Sequence, residues 1–300
     1  MKKYVSIDIG GTAIKYGLIR EDGLILERRE VLTEARKGGN SILEKTEKIV
    51  EQLLEHEPRG ICISTAGMVD IEKGEIMYAS PLIPRYAGIR FKETLEARFG
   101  LPCEVENDVN CAGLAEYISG VGMGCDPLLM LTVGTGIGGC LISQGQVFHG
   151  FGGCACEFGY MHMGDQEFQT LGSASSLSRR VARRKGEPGK TWNGRRIFRE
   201  ALKGDAVCIR AIDEMVEVLG IGIANLCYVV SPQMVVLGGG IMTQEAYLKE
   251  RVQNALRRQL IEPLASQVQV GFAKHGNSAG MLGAFYHFSI RQNAFHRKHQ

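Results

Sequence analysis

The sequence predicts an α/β fold in two domains, on three observations. Stretches with strand character alternate with amphipathic helical stretches along the 300 residues. The strand–glycine turn–strand pattern that opens the chain recurs after residue 127, and a glycine-rich segment at 121–127, closed by Pro127, separates the two copies. The expected division is an N-terminal α/β domain over 1–120 and a C-terminal one over 121–279, with a last helix at about 280–300 packing back on the first. Segments of this length can each bury a core. A cleft between two such halves is where ligands preferentially bind.

Residues 4–9 (YVSIDI) run apolar, break at Gly10–Gly11 and resume over 14–19, which reads as strand, tight turn, strand. Ser41 and Glu44 have capping-box spacing ahead of a helix whose inward positions are Leu43, Thr46, Ile49, Val50, Leu53 and Leu54. GICIS at 60–64 is a short buried strand with a turn at Ala66–Gly67. A helix at 91–99, a strand at 103–106 and a helix at 110–119 follow. The second half offers strands at 128–133 and 140–143, a long helix at 206–227, a strand at 234–237, a glycine turn at Gly238–Gly240, a strand at 268–272 and a helix from about 279.

Apolar residues at 44% and charged residues at 23% match a soluble globular protein. Lys and Arg number 35 against 33 Asp and Glu, a net charge of +2, so no general attraction to nucleic acid or an anionic membrane is expected. Local basic clusters at Arg179, Arg180, Arg183, Arg184 and Lys185, and at Arg297 and Lys298, are assigned to a solvated helix face and a frayed terminus. No apolar run approaches the ~18 residues of a membrane span. MKKYVSIDIGG enters a strand too soon for a signal peptide. Nine cysteines without such a signal suggest reduced thiols in a cytoplasmic protein. Cys154 and Cys156, with no second pair nearby, read as small thiols rather than as a metal site.

The glycines admit three readings. Gly134-x-Gly136-x-x-Gly139, with Glu157 lying 18 residues beyond, fits the letter of the dinucleotide fingerprint, but those glycines must open a helix and here they lead into a strand. Gly189-Lys190-Thr191 ends like a Walker loop, yet Arg184 stands where its first glycine should be and no strand precedes it. The third reading is a pair of hairpin turns at 8–12 (DIGGT) and 134–139 (GTGIGG) whose backbone N–H groups face phosphate oxygens. Glycine lets the backbone come close to an anion. Thr12 and Thr135 add hydroxyl donors, and Asp8 can hold Mg²⁺ directly or through water. Two such turns at matching places in two halves outweigh one.

DIGGT, ENDVN at 106–110, TVGTGIGG at 132–139, CEFGYM at 156–161 and LGGGI at 237–241 run in the order of the ROK family, which this chain resembles over nearly its whole length. The resemblance implies the actin-like, ribonuclease H-like two-domain ATPase fold with an interdomain cleft, and ATP-dependent sugar phosphorylation with Mg²⁺. CEFGYM and the ending SAGMLGAFYHF look closest to the β-glucoside kinase branch. By the same resemblance Asp108 is the general base and Asn107, Glu157, Tyr160 and Gly67 face the sugar. Asp8, Gly10, Gly11, Thr12 and Lys15 form the first phosphate site, Thr135 and Gly136 the second, and Gly238, Gly239 and Gly240 the turn beside the adenosine. Phosphoryl transfer of this kind is positioning, charge neutralisation and one carboxylate aimed at the hydroxyl. Without the resemblance, Asn107 and Asp108 read as caps of the following helix.

Departures from the family pattern bear on substrate. Tyr160 stands where many members have a zinc-binding histidine, and 163–173 (MGDQEFQTLGS) holds no cysteine, so no zinc site is expected; His162 reads as a surface or packed residue. Leu171-Gly172-Ser173 replaces a motif whose glutamate reaches the anomeric end of the sugar. That less polar end suits a sugar whose O1 carries an aglycone, such as cellobiose, phosphorylated at the 6-hydroxyl. Glucose and N-acetylmannosamine are the alternatives. Ala66, where the family often has proline, changes nothing in a turn. A family repressor would need a DNA-binding domain ahead of DIGGT, and only seven residues precede Asp8. A sensor without catalysis would not need Asp8, Asp108 and Glu157 together. The resemblance also implies a homodimer.

Overall fold

The computed structural model describes residues 1–298, and the side chains of all but Lys190 and residues 294–298. The basic pair Arg297 and Lys298 therefore lies outside the described side chains. The chain forms two compact units, one of Met1–Ile118, His149–Ala155 and the segment from Asn277 onward, the other of Ser119–Phe148 and Cys156–Gly276.

The first unit is built on β1 (Lys3–Ile9), β2 (Ala13–Arg20), β3 (Ile25–Leu32), β4 (Ile61–Thr65) and β7 (Cys103–Asn107). A small hairpin of β5 (Met68–Asp70) and β6 (Glu75–Tyr78) stands apart. The sheet order is β3-β2-β1-β4-β7, with β1, β2 and β3 antiparallel and β1, β4 and β7 parallel. The second unit repeats that plan with β8 (Leu128–Val133), β9 (Ile137–Ser143), β10 (Gln146–Val147), β13 (Met234–Gly238) and β14 (Gln269–Phe272), in the order β10-β9-β8-β13-β14. Again three strands are antiparallel and the last two pairings are parallel. Its small hairpin is β11 (His162–Met163) with β12 (Gln166–Glu167). The repeat read from the two opening hairpins thus extends to every strand of both sheets.

The central parallel strands β4 and β13 are buried throughout, and ICIST and MVVLG accordingly read as continuous runs rather than alternations. Val5, Ile7, Ile61, Ile63 and Val105 centre the first core, with α1 (Gly39–Leu53) and α2 (Phe91–Phe99) against it. The second core joins Leu129, Leu131, Val235 and Leu237 to Ile212, Leu219 and Ile223 of a long helix, Ala206–Val230. The C-terminal helix, Ala279–Lys298, packs on β1, β4 and β7. The Ser6 hydroxyl donates to the Met281 carbonyl at 2.7 Å, and the Tyr4 ring meets Phe285 and Phe288 at 5.3 and 5.4 Å.

Four sequence readings change. The capping box does not form: α1 begins at Gly39, its N-cap is Gly38 at φ 92°, no side chain caps it, and Ser41 lies inside the first turn. Tertiary contact overrides the local signal there, because Gly39 donates to the Pro84 carbonyl at 3.0 Å and a Cβ at Gly39 would strike the Arg85 carbonyl. The helix expected from 110 is α3, Asp108–Ser119, which follows β7 with no intervening loop. The segment 121–127 is built into the second unit: Cys125 is buried and Asp126 accepts from the Gln144 N–H. On the basic helix Ala174–Lys185, Arg179, Arg183 and Arg184 are exposed while Arg180 is half-buried and donates to the Leu171 and Ala211 carbonyls.

A Cβ at Gly283 would overlap the backbone of Cys111 in α3. Gly283→Ala should therefore cost about 1–3 kcal/mol or more, the range for overpacking a tight core. Urea unfolding measures it, and an unchanged midpoint would contradict this seating of the C-terminal helix.

Candidate functional site

In the first unit the register of β1, β4 and β7 sets the site. Asp8 pairs with Ser64 and Ser64 with Glu106, so these three polar residues form one row across the parallel strands. The next row is Ile9, Thr65 and Asn107. Paired residues share a face and successive residues alternate, so Asp8, Ser64 and Glu106 present to the face that the C-terminal helix covers.

Asp8 is 8% exposed, accepts from the Ser64 hydroxyl at 2.9 Å and pairs with Lys15 Nζ at 3.3 Å. A Cβ at Gly280 would run into its carboxylate, so the first turn of the C-terminal helix backs it closely. The positive end of a helix dipole favours a carboxylate there. Beyond Asp8 the chain turns through Gly10, Gly11 and Thr12. Gly10 N–H donates to the Ala13 carbonyl at 3.1 Å, the Thr33 hydroxyl holds the Gly10 carbonyl at 2.6 Å, and Gly11 and Thr12 are exposed. One hard carboxylate beside an exposed glycine turn suits a hydrated Mg²⁺ that also binds phosphate.

Asn107 and Asp108 sit where β7 passes into α3. Asn107 Oδ1 accepts from the N–H groups of Val109 and Asn110 at 2.8 and 3.2 Å, and its Nδ2 donates to the Gly67 carbonyl at 2.8 Å. The capping role read from the residues alone is therefore filled by Asn107, leaving one amide N–H for a ligand. Asp108 Oδ1 accepts from Val109 N–H at 2.9 Å, and the side chain is half-buried. Gly67, at φ 102°, brings its turn against the Tyr78 carbonyl, closer than a Cβ would allow.

In the second unit Gly134, Thr135 and Gly136 join β8 to β9, with Gly134 N–H donating to the Gly136 carbonyl at 2.9 Å. Ala174 N–H, at the start of the helix Ala174–Lys185, donates to the Gly134 carbonyl at 2.9 Å. Thr135 is exposed. Gly239, at φ 95°, lies so close to the end of β8 that a Cβ would strike the Val133 backbone, which sets the Gly238–Gly240 turn beside Gly134. Glycine is required at 239 by both its φ and that approach.

Glu157 lies on a turn packed against β9: a Cβ at Gly139 would strike Phe158, and one at Gly159 the Ile137 carbonyl. Burial alone raises its carboxyl above the usual range. Tyr160 is 44% exposed. The residue before Glu157 is Cys156 at φ 66°, a left-handed conformation rare for a residue with a side chain. Its thiol is pushed up to about 11, mainly by burial. His162 is exposed and pairs across its hairpin with Glu167. Among the described residues no group of three or more His, Cys, Asp and Glu gathers as a metal site, and all nine cysteines are free.

The sequence reading missed Ser64, His149, His287 and Gln169. Gln169 lies against the Gly134–Gly136 turn and the turn that carries Glu157, since its Oε1 is 2.6 Å from a Cβ built at Gly136 and 3.1 Å from one built at Gly159. Glu106, met only as a letter of ENDVN, is 1% exposed and is held by His149 Nε2 at 2.6 Å and His287 Nδ1 at 3.3 Å. The available signal was the pair of glutamates in CEVEN, Glu104 and Glu106: a carboxylate in a buried strand needs partners, although sequence does not say which.

The family model described as ROK family matches residues 4–290. A β-glucoside kinase of Klebsiella pneumoniae is 35% identical, over 96% of both chains. A ROK family protein of Streptococcus pneumoniae, solved in complex with sucrose, superposes with TM-score 0.86 at 28% identity, covering 97% of this chain and 99% of that one. A ROK family glucokinase of Streptomyces griseus, solved with glucose and AMPPNP, superposes with TM-score 0.82 at 29% identity, covering 94% and 97%.

Burial holds the His287 imidazole below its ordinary pKa, with His149 and Arg291 adding to the effect against Glu106 and Glu104. A group depressed in the folded state gives stability that is complete above its unfolded pKa, about 6.5 for histidine, and is lost as pH falls below it. The melting temperature should therefore fall from about pH 6.5 downward, and more steeply in the native protein than in His287→Gln. Thermal scans from neutral to acidic pH measure this, and parallel curves would contradict it.

Proposed function

The chain belongs to the ROK family, and from that premise we propose that it transfers the γ-phosphoryl group of ATP to the 6-hydroxyl of a β-glucoside such as cellobiose. It is an ATP-dependent sugar kinase with the two-domain, actin-like fold, in line with its kinase relatives; the choice of acceptor and the residue roles are our reading. Among the described residues no helix is long and apolar enough to cross a membrane.

Asp108 takes the proton of the attacking hydroxyl as general base. Its position supports this: it is half-buried at the end of a parallel strand, fixed by the capped turn around it. Asn107 offers its remaining N–H, and Glu157 its carboxylate, to the other sugar hydroxyls; Gly67 and Tyr160 complete the sugar side. The Gly10–Thr12 and Thr135–Gly136 turns give backbone and hydroxyl donors to the phosphates, with Lys15 beside Asp8, and Gly238–Gly240 borders the adenosine. Asp8 is the residue that would hold Mg²⁺, which neutralises phosphate charge when bound. Positioning of this kind supplies on the order of 7–11 kcal/mol of barrier reduction. A homodimer and the absence of a structural zinc belong to the same reading.

The observation that carries the substrate is the fate of 171–173. Gly172 is buried, and the Ser173 hydroxyl caps the helix Ala174–Lys185 by accepting from Ser176 N–H at 3.2 Å. The stretch is used structurally and offers no carboxylate to a free anomeric hydroxyl. The Klebsiella β-glucoside kinase and the sucrose-bound relative support an acceptor with a substituted O1.

An ADP-release assay with Mg²⁺-ATP over cellobiose, an aryl β-glucoside, glucose and N-acetylmannosamine tests this. Turnover should be fastest with the two glucosides, and far faster turnover of glucose would replace the reading with a glucokinase. Binding of sugar without ADP release would mean a sensor. Asn at 108 keeps the acceptor for Val109 N–H but is no base, so Asp108→Asn should fold normally and lose about 10²–10⁴ in kcat. Activity surviving in that variant would overturn the base assignment.

A further inference from the structure

The hydrogen bonds of Glu106 converge on the two residues that bracket Asp108. One carboxylate oxygen, Oε1, accepts from the Asn107 backbone N–H at 2.7 Å and from Asn110 Nδ2 at 3.0 Å. The other, Oε2, faces His149 Nε2 at 2.6 Å and His287 Nδ1 at 3.3 Å. An ionised carboxylate only accepts, so each ring nitrogen facing it carries a proton. The other ring nitrogen of His287, Nε2, is buried without a hydrogen-bond partner. Four donors from four segments, namely β7's own end, α3, the 149–155 turn and the C-terminal helix, meet on this one side chain. Asp108 lies between the two residues that these bonds hold.

We propose that Glu106 is a positioning residue for Asp108, held in its working form by His149 and His287. The proposal rests on Asp108 as the base. Glu106 fixes Asn107 and Asn110, and those two fix the backbone from which the Asp108 carboxylate projects. His149 is 22% exposed while Glu106 and His287 are nearly inaccessible, so the histidine of the turn is the member through which solution conditions reach the set. The titratable groups around Glu106 are His149 on the turn, His287 on the C-terminal helix, and Asp108 and Cys111 on α3, with Glu104 and Arg291 beyond His287. Burial raises the Glu106 carboxyl, but His287, His149 and the Asn110 amide together hold it below its ordinary range. Loss of a histidine must raise it again.

The test is steady-state kinetics across pH on the full chain, with Glu106→Gln, His149→Leu, His149→Gln and, beside them, Asp108→Asn. Glutamine at 106 keeps the shape but cannot accept all four donors. It should lower kcat about 10- to 100-fold, the cost of roughly an ångström of misplacement at a reacting group, while KM for sugar and for ATP stays within about twofold of native. His149→Leu should shift the acidic limb of the kcat profile to higher pH, and His149→Gln, which can still donate, should recover most of that shift. A residue that merely supported the fold would lower the melting temperature without moving the limb or separating kcat from KM. Native kcat in Glu106→Gln, or an acidic limb unmoved in His149→Leu, overturns the proposal while an inactive Asp108→Asn leaves the base in place. An active Asp108→Asn overturns the base assignment itself, whatever Glu106 does.

Discussion

The first unit depends on the parallel register that puts Asp8, Ser64 and Glu106 in one row. Strands about 4.8 Å apart bring three polar side chains to the same face at the carboxyl ends of three strands. One residue of slip in any strand would turn its member to the other face. The row then dictates what can cover it. A helix lying across it must be narrow where Asp8 lies, hence Gly280, narrow again against α3, hence Gly283, and polar above Glu106, hence His287. Positions 280, 283 and 287 follow helical spacing, so a single stripe of the last helix answers the row point by point.

Two carboxylates in a nearly dry row are stable only with their charges met, since removing one partner of a buried ion pair typically costs about 3–5 kcal/mol. The two are met differently. Asp8 has one hydroxyl and one lysine and lies next to an exposed glycine turn, so it keeps acceptor capacity for a ligand. Glu106 is saturated by two nitrogens on each oxygen and has none to spare. The same row thus holds a carboxylate available to a ligand and a carboxylate committed to structure, and the difference lies in the number of donors.

The sequence made the strands and the glycine turns legible because buried parallel strands are continuous apolar runs and the turns need glycine. It hid β3, ILERREVL, whose exposed charges on an edge strand break the expected pattern. The start of α1 was misread because Gly39 answers a contact with Pro84 and Arg85 far along the chain. The site residues divide in the same way. Asp8, Asp108 and the glycines could be named because each acts within its own turn. His149 and His287 could not, since their partner is Glu106 and the pairings span 43 and 181 residues of chain. Asn107 fills the capping role with its oxygen, and its nitrogen keeps a hydrogen that the proposed sugar contact would use.

The repeated sheet explains why the two halves read so alike yet carry different residues. Counted back from the first glycine of each turn, Asp8 corresponds to Thr132. The partner of Asp8 is Ser64, and the partner of Thr132 is Gly238. A row that is acid, hydroxyl, acid in one unit becomes threonine and glycine in the other, with Ala273 next to Gly238. The second row can therefore lie close to a ligand's backbone-facing atoms and brings no charge of its own, whereas the first brings charge that must be neutralised. The two rows therefore differ in kind, one neutral and close-fitting and the other charged, although the strands that carry them pair in the same order. One sheet plan yields both because a parallel register fixes where the row falls and leaves its chemistry to three side chains.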